Sequence, residues 1–205
     1  MFNALALISV IAIMMLLKTI VGIFPSILAS IIRWKENINI ESSVRLSRDR
    51  DLSSFAMAVP FCLLVYRFRI YNPGFIANLP DTARLWAILG VFAGYILFRK
   101  GAVMLARPHR IPQKTYQAGE KSANTFFIFL TLTLLLVASA ATFFGAQPEA
   151  VRAACIWLSA LIYGLYLIRK VQIFMSSCSL FAAFLYLCAL EILPTGILVV
   201  SDIIF

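Results

Sequence analysis

Apolar residues run along this 205-residue chain in long stretches, and the polar ones gather between them. The stretches are apolar all round, without the one-sided stripe of a soluble helix or the alternation of a half-buried strand. About 20 residues rising 1.5 Å each cross a bilayer. On that measure the pattern predicts spans at about residues 2–20, 54–71, 82–98, 124–144, 151–168 and 175–200. Residues 21–33 hold Pro25 and end in Arg33, with Trp34 and Lys35 just beyond. They read as an interfacial segment or as the continuation of one bent helix, and the pattern leaves both open. The second span has only 13 charge-free residues before Arg67, so it crosses only if Arg67 and Arg69 reach outward. Because a bilayer accepts only helices or closed barrels, the expected fold is an all-α, polytopic transmembrane bundle of about six spans. It forms one integral membrane domain over residues 1–205.

Composition supports this reading. The chain is 62% apolar and 13% charged, with a mean hydropathy of +0.93. A soluble domain of this size lacks the interior to hide so much apolar surface. The amino terminus has no basic n-region and no A-x-A-like site, so the first span is expected to stay in the mature protein.

The net charge of +9 alters the picture only in its distribution. Residues 33–53, 99–122 and 169–172 hold 13 Lys and Arg, against four (Arg67, Arg69, Arg84 and Arg152) in the alternate connections. The positive-inside rule places the richer loops in the cytoplasm and both termini on the non-cytoplasmic side. No basic stretch is interleaved with aromatics as a nucleic-acid surface requires, so nucleic acid is not an expected partner. Membrane lipids are, together with a membrane-protein partner or a second copy of the chain.

Candidate chemistry is sparse. Glu191 sits inside the last apolar run, where a carboxylate is costly unless paired, protonated or facing water. Pro194, three residues on, frees a backbone carbonyl near Leu190. With Tyr186 and Lys18 these residues form the expected intramembrane polar site; in its locking reading Glu191 pairs with Lys18, Arg67 or a tyrosine, although snorkelling of Lys18 to the inner interface is ranked ahead of that pairing. A structural lock is ranked ahead of a proton-binding or substrate-binding site. Arg107, His109, Arg110 and Lys114 make a basic cytoplasmic loop, read as topogenic ahead of a lipid-phosphate grip. Gly90 and Gly94, at GxxxG spacing, are expected to pack helices within the chain or against a partner.

Cys62, Cys155, Cys178 and Cys188 lie in apolar runs without CxxC spacing, so neither a metal site nor a disulfide framework is expected. No P-loop, GxSxG or HExxH occurs, no cofactor is implied, and an enzyme is disfavoured. The two halves show no internal repeat of the kind that favours transport. The expected role is a non-enzymatic subunit or scaffold of a membrane assembly. The alternative is a small proton-coupled transporter or lipid-handling protein using Glu191.

The segment from Phe184 to Pro194 resembles the closing LYLC-x-LEI-x-P signature of a Bacteroidota inner-membrane family known as domain of unknown function 4271. Residues 43–64, a charged stretch with Arg48 and Arg50 entering a helix through serines, are similar to its middle region. The resemblance implies a multi-pass protein of a bacterial inner membrane and carries no activity with it. The end of the chain departs from the family pattern, with Asp202 in a polar tail where a basic one is expected.

Overall fold

The computed structural model describes residues 2–105, 113–176 and 180–204. Its first helix, α1 (Phe2–Ile32), passes through Pro25 without a break. Residues 21–32 therefore continue the helix rather than lying apart. The cost of one lost backbone bond is met by packing, since Ile20, Ile23, Ile27 and Ser30 recur on one face and are all buried. A tight corner follows, in which the Asn37 side chain donates to the Ser30 carbonyl at 3.4 Å. It leads into α2 (Lys35–Ser42).

The third helix, α3 (Val44–Arg67), begins ten residues before the expected span at 54, because Ser43 adopts extended backbone and accepts from the Leu46 amide as an N-cap. Its first two turns carry Arg45, Arg48, Asp49, Arg50 and Asp51, and its remainder is largely apolar. Arg69 then takes a left-handed conformation (φ 49°), and the Ile70 amide closes back on the Val65 carbonyl. A short turn of helix, α4 (Gly74–Ala77), precedes α5 (Asp81–Leu105) and α6 (Gln113–Phe143).

Gly145 (φ 70°) ends α6. Its amide bonds to Thr142 and the next one to Ala141, the paired closure that favours glycine. Pro148 opens α7 (Pro148–Met175) at a position where its missing amide proton costs nothing. The last pass is α8 (Leu180–Leu187), a π-helical turn (Cys188–Ile192) and α9 (Leu193–Ile204).

Five segments among the described residues are long and apolar enough to cross a membrane: Leu5–Ile32, Asp81–Met104, Thr115–Phe143, Pro148–Met175 and Ala183–Asp202. Of the six expected spans, the one at 54–71 falls outside this set, since its helix, α3, stops at Arg67 and is charged over its first third. α3 still runs the length of the bundle. Leu46 packs beside Ile23, Ile27 and Ile128 at one end, and Leu64 beside Leu134, Ala138, Val151 and Cys155 towards the other. The result is an all-helical membrane bundle in which α6 and α7 are antiparallel neighbours and α3 and α6 run parallel. Its outer surface is apolar, with Met14, Met15, Leu97, Trp157 and Phe181 exposed as lipid-facing side chains are.

Candidate functional site: a buried charge quartet

Glu191 is buried, at 1% exposure, and both of its carboxylate oxygens are engaged. The Arg99 guanidinium of α5 grips it through Nε (3.0 and 3.1 Å) and Nη2 (2.7 Å). Lys170 of α7, with no exposed surface, donates to Oε1 of Glu191 and to Oε1 of Glu120 on α6, the latter at 2.9 Å. Arg99 also lies 3.5 Å from the second Glu120 oxygen. Two cations and two carboxylates thus form a neutral quartet that ties α5, α6, α7 and the last pass together.

Tyrosines complete the shell. The Tyr166 hydroxyl accepts from Arg99 (3.2 Å) and Lys170 (3.3 Å), and Tyr186 donates to Glu120 at 3.0 Å. The Tyr116 hydroxyl lies 3.3 Å from that of Tyr186 and donates to the Val103 carbonyl. On the other side, Tyr163 donates to the backbone carbonyl of Glu191 at 3.0 Å. The hydroxyls of Tyr163 and Tyr95 each stand 3.1 Å from that of Thr195.

The local fold presents Glu191 to these partners. Pro194 cannot donate to the turn before it, and the chain answers by widening to π geometry over Cys188–Ile192, with the Leu193 amide reaching back to Cys188. Glu191 sits inside that turn, and Tyr163 takes up its carbonyl.

The quartet's depth follows from helix lengths. Arg99 is 18 residues from Asp81, Lys170 22 from Pro148 and Glu120 23 from Phe143. At 1.5 Å per residue the quartet lies about 27 to 35 Å from the opposite end of those helices, near one edge of a hydrocarbon core about 30 Å thick.

A second cluster stands on another face of α6 at about the same level. Lys121, the neighbour of Glu120, donates to Glu41 of α2 at 2.9 Å and lies 3.5 Å from Asp51 of α3. Arg50, only 1% exposed, bonds to Glu41 (3.0 Å) and Asp51 (2.9 Å), and Asn124 donates to Asp51. Burial pushes the Glu41 carboxyl up, but the bonds and charges of Lys121 and Arg50 outweigh it and hold the group below the usual carboxylate range. Asp51 is also lowered: burial raises it, and Asn124, Arg50 and Lys121 more than compensate. This cluster too balances two cations against two carboxylates.

Of the expected site residues, the structure brings together Glu191, Pro194 and Tyr186, the last through Glu120. Lys18 is exposed on α1, and the cations at Glu191 are Lys170 and Arg99 instead. The reason is register: Lys18 lies on the outer, lipid-facing side of α1, whose buried face is that of Ile20, Ile23 and Ile27. Arg67 closes the far end of α3, well away from the quartet. Gly90 and Gly94 are exposed on α5 with open space around them, so neither packs helices within this chain. The close approach occurs at Gly119, where an added Cβ would lie 2.7 Å from the Phe174 ring.

Arg107, His109, Arg110 and Cys178 lie outside the described residues, and of Lys114 only the helical backbone is described. No group of three or more His, Cys, Asp or Glu is arranged to hold a metal among the described residues. A cleft of about 170 Å³, lined by Ser9, Pro60, Leu64 and Arg67 among others, opens towards the far end rather than at the quartet.

Compared with known proteins, residues 3–200 match the family model described as Domain of unknown function (DUF4271). The chain belongs to that family. No curated protein and no solved structure matches.

Proposed function

We propose that this member of the domain of unknown function 4271 family is a non-enzymatic scaffold or subunit of a membrane assembly, its helices locked by the quartet around Glu191. The carrying observation is charge compensation. Glu191 has both oxygens bonded, two cations beside it and almost no exposed surface. A carboxylate that binds and releases protons or substrate needs access to water and a changing partner, whereas a neutral quartet spread over four helices holds their register. The second cluster does the same for α2, α3 and α6, and together they make a rigid body with a basic end. By the positive-inside rule that end faces the cytoplasm, with both termini opposite, in a bacterial inner membrane. Its charges suit docking of partner proteins or anionic lipid.

A proton-coupled transporter is the second reading. The π turn at Glu191 and the hydroxyl chain Tyr163, Thr195, Tyr95 favour it, because such turns frequently mark working sites.

Affinity purification of the tagged protein in mild detergent, wild type beside Glu191→Gln, separates the two. The scaffold reading expects a partner, or a second copy, at fixed stoichiometry with the wild type. A solitary, folded protein in both samples, with proton flux in proteoliposomes that the Glu191→Gln variant abolishes, would overturn it.

A further inference from the structure

The corner between α1 and α2 lies where the span Leu5–Ile32 leaves the membrane, at the basic end. A hollow of about 430 Å³ opens there, lined by Ile32, Arg33, Trp34, Lys35, Glu36 and Asn39. Arg33 and Lys35 are exposed, and the Lys35 ammonium stands 5.7 Å from the centre of the Trp34 ring. Beside the hollow, Arg169 donates to the Ile31 carbonyl at 2.8 Å and to Gln172 at 2.7 Å. None of these three cations has a carboxylate partner among the described residues, whereas the buried Arg50 and Lys170 and the half-buried Arg99 are all matched. Glu36 is the single acid on the lining, so two positive charges face one negative there, with Arg169 beside them.

The surroundings fix the kind of anion. Directly below the hollow α1 exposes Ile32 (68%), Leu28 (39%) and Val21 (63%) to the hydrocarbon region. Trp34 sits at headgroup level, where indole rings settle. A ligand with one anionic phosphate and apolar chains satisfies both parts at once: arginine and lysine donate charge-assisted bonds to the phosphate oxygens, and the chains lie along α1. We propose that the α1–α2 corner is a headgroup site for an anionic phospholipid, with Arg33 and Lys35 as its phosphate ligands and Arg169 adding charge from α7.

Native mass spectrometry of the purified protein titrated with phosphatidylglycerol or phosphatidylcholine tests this. The wild type should retain one phosphatidylglycerol about tenfold more tightly than phosphatidylcholine. The Arg33→Gln, Lys35→Gln double variant should lose that preference, and Lys35→Arg should keep it. A control altering two exposed cations elsewhere on the basic end, Arg48→Gln with Lys100→Gln, should bind as the wild type does. Unchanged affinity in the double variant would overturn the site. Equal loss in the control would mean a diffuse field, and displacement by inorganic phosphate would mean an anion site without lipid specificity; either would also overturn it.

Discussion

Glu191 shows how a single residue can be conspicuous while its partners are not. A lone acid in an apolar run stands out in any reading, because its burial demands compensation. Arg99 and Lys170 sit at the ends of apolar runs, where cations ordinarily reach out to head groups, so nothing in their spacing says that they turn inward. Glu120 lies in a polar stretch that reads as loop, and only the extension of α6 back to Gln113 brings it to the quartet. The second cluster permits a prediction with a definite sign. Glu41 and Asp51 are held below their ordinary values, so they stabilise the fold above about pH 5, where both are ionised even in the unfolded chain. That stability is lost as the pH falls through the lowered folded values. Thermal unfolding followed from pH 7 to pH 3 should show a falling midpoint on the acid side, and a Glu41→Gln, Asp51→Asn variant should flatten that decline.

At the scale of elements, the apolar stretches were legible and their ends were not. Helices α3, α6 and α7 all run on into charged sequence, because charges that pair across helices need not end them. The π turn was visible only as Pro194, whose effect depends on whether neighbours can absorb the lost bond. Glycine spacing does not distinguish packing within the chain from packing against a partner: the GxxxG pair at Gly90 and Gly94 faces outward, and Gly119, without a motif, carries the tight contact with the buried Phe174 ring. Gly119→Ala should therefore cost about 1 to 3 kcal/mol through overpacking. Gly90→Ala and Gly94→Ala should be neutral or slightly stabilising, as alanine is the better helix former. Unfolding of the three variants in one detergent, compared with wild type, checks the contrast.

For the whole molecule, the class of fold followed from hydropathy alone, since only a membrane solvates a surface that includes Met14, Leu97 and Trp157. What hydropathy does not contain is the cross-linking. Adjacent residues on α6, Glu120 and Lys121, project about 100° apart into two neutral clusters, so one helix joins α2 and α3 to α5, α7 and the last pass. Such a charged layer near one membrane face would hold the bundle as a unit and leave its basic end free for lipid and partners. The most direct test is a double-mutant cycle on reversible unfolding in lipid, with Lys170→Met, Glu191→Leu and the pair together. Each single change should cost about 3 to 5 kcal/mol, because it strands a buried charge, and the pair should cost clearly less than their sum. Additive losses, or single variants as stable as wild type, would contradict the quartet as the lock of this fold.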